Sequence, residues 1–141
     1  MNLKTGSLLI GLCFAAVGAV QAETLRFTAM LAGPTEVPPN TTTGGGDVAA
    51  TLDTDSRLFS YTVIYSGLSG PAIMAHFHGP AGPGVNAPPV ITMTALASPM
   101  TGSATLTVAQ IADLTAGNWY FNVHTAAHKG GEIRGQLTKA P

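Results

Sequence analysis

Apolar and polar residues alternate with period two over much of this chain. In residues 24–31, Leu25, Phe27, Ala29 and Leu31 fall on one side, and Thr24, Arg26 and Thr28 on the other. That is the pattern of a half-buried β-strand. Gly33-Pro34 ends the run, and Val37-Pro38-Pro39 keeps the chain extended and unpaired. Residues 41–46 read as a flexible loop. Alternation returns in residues 47–53, through Val48, Ala50 and Leu52. It returns again in residues 57–68, through Phe59, Tyr61, Val63 and Tyr65. The polar stretch Asp53-Thr54-Asp55-Ser56 between these runs is turn chemistry, so they predict a β-hairpin.

Further strands are predicted over residues 71–78, 90–94, 102–106, 118–125 and 132–139. A long Gly/Pro loop, GPAGPGVNAPP, fills residues 79–89. One helical signal interrupts the pattern. Thr107 followed by Gln110 is a capping-box spacing, Ile111 and Leu114 supply an apolar face, and Gly117 ends the element. About seven or eight short strands with one short helix predict an all-β domain, an immunoglobulin-like or Greek-key β-sandwich or barrel.

The first 22 residues follow a different logic. Lys4 precedes an uncharged, mainly apolar run over residues 7–20, and Val20-Gln21-Ala22 closes it with small residues. This order predicts a secretory signal peptide. The apolar run is shorter than the ~20 residues of a membrane span, although an uncleaved anchor is the alternative. Cleavage after Ala22 leaves residues 23–141 as one domain, periplasmic or secreted, without a membrane anchor. It also removes Cys13, the only cysteine. Six basic and seven acidic side chains give a formal net charge of −1. The absence of a basic stripe argues against nucleic acid as a partner.

The histidines carry the candidate chemistry. His76 and His78 are two apart on a predicted strand, so both imidazoles project from one face. His124 lies near the end of another strand, and adjacency of the two strands would add a third nitrogen. Three imidazoles with an open position suit zinc or copper. Met74 shares the parity of His76 and His78, and its thioether would favour Cu(I). His128, beside Lys129 in a Gly-flanked turn, is a further candidate that reads more simply as a solvated loop residue. Phe77 points away from the histidines. Trp119, Phe121 and Val123 are predicted to face the core, leaving Tyr120 and Asn122 to flank and orient His124. In the competing reading, the paired histidines are structural and hydrogen-bond the backbone of the Gly/Pro loop. Glu132 and Arg134 either flank the cluster or form an exposed pair worth little. Met30, Met93 and Met100 read as core filler.

Several blocks resemble the CHRD domain family, a module named from chordin and found in many bacterial exported proteins. They are Ala75-His76-Phe77-His78-Gly79-Pro80-Ala81, the stretch from Gly117 through Trp119 and His124 to Thr125, and Gly130-Gly131-Glu132-Ile133-Arg134-Gly135-Gln136-Leu137. The opening block from Phe27 to Pro39 agrees. The resemblance implies an all-β immunoglobulin-like or barrel-like domain over residues 23–141, and by itself leaves activity open. At His128 the family pattern more often has Asn, so a fourth histidine is not implied.

Three functions are compatible with these observations. The first is a metal-binding module for copper or zinc. The second is an extracytoplasmic adhesion or protein-interaction module with a structural histidine cluster. The third, a copper enzyme similar to superoxide dismutase, is disfavoured, because the domain has no cysteine for that family's disulfide and no histidine–aspartate set for a bridged pair of metals. No G-x-S-x-G or H-E-x-x-H motif is present.

Overall fold

A computed structural model describes residues 22–141. The leader, apart from Ala22, and Cys13 lie outside the described residues. Nine strands form one sheet: β1 (Thr24–Ala32), β2 (Gly45–Asp53), β3 (Leu58–Ser66), β4 (Ala72–His78), β5 (Pro89–Thr92), β6 (Met100–Thr105), β7 (Tyr120–Thr125), β8 (Ile133–Gln136) and β9 (Thr138–Lys139). Among the described residues one α-helix, α1 (Val108–Thr115), joins β6 to β7, and a 3-10 turn (Gly33–Thr35) follows β1. The strand order is β5-β4-β7-β8-β1-β2-β3-β6, all ladders are antiparallel, and β9 adds to β1.

The first three strands follow from their alternation. Leu25, Phe27, Ala29 and Leu31 of β1 are buried, as are Val48, Ala50 and Leu52 of β2 and Phe59 and Val63 of β3. The β2–β3 turn is closed by Asp53, whose Oδ1 accepts from the Asp55 and Ser56 amides at 3.1 and 2.7 Å. The helix starts at its capping box. Gln110 N–H donates to Thr107 Oγ1 at 3.2 Å, and Thr107 N–H donates to Gln110 Oε1 at 2.8 Å. Leu114 enters the core.

The sheet curls until its two ends pack face to face. Phe59 of β3 meets Phe77 of β4 with centroids 5.3 Å apart at 84°, and Trp119 at 5.8 Å and 74°. Phe77 also touches Phe121 of β7 at 4.7 Å. Strands β3 and β4 are far apart in the sheet order, so the contacts of Phe59 close a barrel-like sandwich. Edge-to-face rings of this kind add to the ~2–3 kcal/mol each gains from burial.

The predicted last strand divides into β8 and β9, with Leu137 between them donating its N–H to Trp119 O at 2.9 Å. This segment is the seam. It pairs with β7 through β8 and with β1 at Arg134, Thr138 and Lys139. A Cβ on Gly135 would collide with the Met30 carbonyl oxygen, so glycine lets the two halves approach. Two expectations are corrected. Met30 is exposed on the outer face of β1, whereas Met93 and Met100 are buried as core filler. Gly45 and Gly46 belong to β2, and the loop before them is tied down: Asn40 Nδ2 donates to Glu132 O at 3.0 Å and Thr42 Oγ1 to Glu132 Oε1 at 2.7 Å.

Candidate metal-binding site

Strand β7 is buried at every position. One face carries Phe121 and Val123 into the core. The other bears polar residues in register with its neighbours. Met74 lies opposite His124, His76 opposite Asn122, and His78 opposite Tyr120. On the other flank, Asn122 pairs with Arg134 and Tyr120 with Gln136. The sheet therefore has a second, polar face. Two loop segments cover it, one over residues 79–88 and one over residues 33–40.

The covering loop is held by this face through its carbonyls. His78 Nδ1 donates to Ala87 O at 2.8 Å. Arg134 Nη2 donates to Val85 O at 2.7 Å, Arg134 Nη1 to Asn86 Oδ1 at 3.0 Å, and Gln136 Nε2 to Ala81 O at 2.8 Å. Asn86 Nδ2 in turn donates to Val37 O at 3.3 Å and joins the two covers. The rings stack beneath them. His78 lies on Tyr120 at 4.6 Å and 4°, and the Arg134 guanidinium carbon sits over the Tyr120 ring, 3.4 Å from its centroid.

His76, His78 and His124 are brought together, with one nitrogen from each within 4.8 Å of the others, and all three are nearly buried. His76 Nδ1 is 3.2 Å from His124 Nε2. Two nitrogens bound to one tetrahedral ion at about 2.0–2.1 Å lie roughly 3.3 Å apart, so this pair already has a ligand spacing. The other ring nitrogens are assigned by their partners. His124 Nδ1 faces Lys129 O at 3.0 Å and His78 Nδ1 faces Ala87 O. Carbonyls only accept, so both Nδ1 atoms carry the proton, and in the neutral rings both Nε2 atoms keep a lone pair. Burial holds all three imidazoles below their usual range. In His76 the neighbouring His124 and His78 add to it, while in His78 and His124 hydrogen bonds to Ala87 and Lys129 oppose it. Neutral imidazoles are the form that binds metal. The donor set therefore fits copper or zinc.

The structure separates the other candidates. Met74 is in register beside His124 but 43% exposed. His128 is half-buried in the β7–β8 turn, where its backbone bonds to Thr125, and it is not in the histidine group. Tyr120 and Asn122 attend His78 rather than His124, because the antiparallel register runs His78 past Tyr120. Asn122 Oδ1 lies 2.9 Å from His78 Nε2.

Glu132 and Arg134 are neither an exposed pair nor partners. Both are fully buried. Glu132 accepts from Thr42 Oγ1, Ser69 N–H at 2.7 Å, Ser69 Oγ at 2.6 Å and Thr125 Oγ1. Burial alone would raise its pKa, but these donors outweigh burial and bring it to about 2.

One residue escaped the sequence reading. Glu36 is 4% exposed, and its Oε1 has no hydrogen-bond partner. Burial raises its pKa to about 7, against the opposing effects of Val37 N–H, Arg134 and Asn122. Gly131, at φ 132°, leaves room for it, since a Cβ there would strike the carboxyl. The available signal was a lone acid inside the Pro-rich Thr35-Glu36-Val37-Pro38-Pro39 segment.

Together these features define a small curled-sheet β-domain with an apolar core on one side of β4 and β7 and a covered, histidine-bearing polar face on the other. The CHRD domain family model matches residues 27–137, and the chain belongs to that family. No curated protein and no solved structure matches it.

Proposed function

We propose that this CHRD domain is an exported binding module that takes up one copper or zinc ion on His76, His78 and His124. One observation carries the reading: His76, His78 and His124 each bring a ring nitrogen within 4.8 Å of the others, and Lys129 O holds the Nδ1 proton of His124 so that its Nε2 lone pair faces His76 Nδ1 at 3.2 Å. Such carbonyl partners fix the tautomer and ring orientation of metal-binding histidines. Export is supported by the leader pattern of residues 1–22 and is compatible with the absence, among the described residues, of a helix long and apolar enough to cross a membrane. A histidine site suits an oxidising compartment, because imidazoles form no disulfides.

Titration of the metal-free protein with Cu(I), Cu(II) and Zn(II) tests this. One equivalent is expected to bind below micromolar concentration, and His76→Ala, His78→Ala and His124→Ala should each abolish it. His128→Ala should leave it intact. Failure to bind copper or zinc below micromolar concentration would overturn the reading. The 3.2 Å His76–His124 contact would then be an ordinary hydrogen bond in a structural cluster of a protein-interaction module. Superoxide turnover by the copper-loaded protein would move the assignment to an enzyme.

A further inference from the structure

We infer that the cleft between the two covering segments binds a neutral sugar ring, whose hydroxyls pair with Glu36 and Gln136. The cleft has a volume of about 380 Å³, within the roughly 300–1,000 Å³ of small-molecule sites. Pro34 and Pro39 of the 33–40 segment and Pro83 of the 79–88 segment are exposed at its sides. Glu36 and Arg134, both buried, and the half-buried Gln136 form its floor. Apolar walls around a few polar groups are the usual make-up of a ligand site. The three histidines do not line it.

The floor carries two oxygens without partners. Among the described residues, Glu36 Oε1 and Gln136 Oε1 are the buried side-chain atoms that lack a hydrogen bond, and both residues line this one cleft. Such groups are rare in folded proteins because leaving them unpaired costs stability. Their neighbouring atoms are already committed. Glu36 Oε2 accepts from Val37 N–H at 3.3 Å. Gln136 Nε2 donates to Ala81 O and Gly117 O, each at 2.8 Å, which fixes the amide with Oε1 as its free end. The walls can part over these oxygens. Among the described residues, the hydrogen bond that joins the two segments is the 3.3 Å contact from Asn86 Nδ2 to Val37 O.

The chemistry of the ligand follows by elimination. An anion would face two acceptor oxygens, and Arg134 is not free to hold it. Its Nη1 and Nη2 are taken by Asn86 Oδ1 and Val85 O, and its guanidinium lies on Tyr120. A cation would be set beside the Arg134 charge in the same floor. A hydroxyl brings no charge, and it both donates and accepts. It therefore pairs with Gln136 Oε1, and with Glu36 whether that carboxyl is ionised or neutral. A sugar ring offers several hydroxyls on a rigid frame, which limits the entropy lost on binding, and its C–H groups can pack on the prolines.

The experiment is a 15N-resolved NMR titration of the metal-free protein with the methyl glycosides of glucose, galactose and mannose. Butylammonium and acetate serve as charged probes. At least one glycoside is expected to bind with a Kd on the order of 1 mM, shifting amides of residues 33–37 and 82–86 and the Gln136 side chain. Glu36→Leu should weaken that binding about tenfold, the scale of one lost hydrogen bond. Glu36→Gln keeps a partner for a hydroxyl and should stay close to the wild type. Pro83→Ala trims an exposed wall and should weaken binding less than Glu36→Leu does. The proposal is overturned if no glycoside shifts these amides at tens of millimolar, which would leave the two oxygens to ordered water. It is equally overturned if a charged probe binds the cleft more tightly than every glycoside, or if Glu36→Leu binds like the wild type. Where Glu36→Leu fails to fold, the wild-type shift map and Pro83→Ala decide. Because no metal is added, the outcome is independent of the metal reading.

Discussion

At the scale of single residues, the chemistry is governed by what each buried polar atom touches. Glu132 is an unpaired carboxylate in a cage of hydroxyls and one amide from Thr42, Ser69 and Thr125. Those donors join the β1–β2 loop, the β3–β4 connection and β7. Glu132→Gln turns an amide N–H into donors that already point inward, and should cost about 3 kcal/mol, measured by urea unfolding. Stability should also fall with acid in two steps. The three histidines have folded pKa values below the unfolded value, so the unfolded chain takes protons first as pH drops below about 6.5. The histidine contribution to stability is therefore complete above that pH and declines until the folded pKa values are passed. Glu36, raised to about 7 by burial, acts in the opposite sense between about 7 and 4.5, because the folded chain takes its proton first. Glu36→Gln should therefore expose the histidine step. The second loss comes between 4.5 and about 2, as Glu132 is protonated in the unfolded chain before the folded one. Denaturant midpoints measured from pH 8 to pH 3 check both steps, and His78→Ala with His124→Ala should flatten the first.

At the scale of elements, the register of β4 against β7 creates the site. A shift of one residue would send His76 and His78 into the core and Phe77 into the polar layer. The bulge between Ala72 and Met74 alters the start of this pairing, while the run from Met74 to His78 keeps consecutive partners. The seam is the other decisive element. Gly135 lets β8 lie against β1, and Gly135→Ala would set its methyl against the Met30 carbonyl. That variant should lose several kcal/mol, on the order of an overpacked core, with accelerated amide exchange concentrated in β8 and β9. The local signals were legible here. The β1, β2 and β3 faces, the Asp53 turn and the Thr107 cap depend on residues a few positions apart, and they appear as the alternation and capping pattern imply. The division of the last strand at Leu137 was not legible, because it depends on which two partners the strand meets.

At the scale of the whole molecule, the polar face becomes a site only because the curled sheet brings β4, β7 and β8 side by side and the 33–40 and 79–88 segments close over them. Within the chain alone, period-two alternation established an all-β domain, and H-x-H placed His76 and His78 on one face. The blocks around them established the family resemblance. Those properties are local: they follow from backbone geometry and from short runs of side chains. Tertiary structure decided the rest. It brought His124 within reach of His76, assigned Tyr120 and Asn122 to His78, buried Glu132 and Arg134 in separate networks, and buried the Glu36 carboxyl against Gly131. Each of these depends on contacts between residues tens of positions apart, where pairing register and loop closure determine which polar groups must satisfy one another away from water.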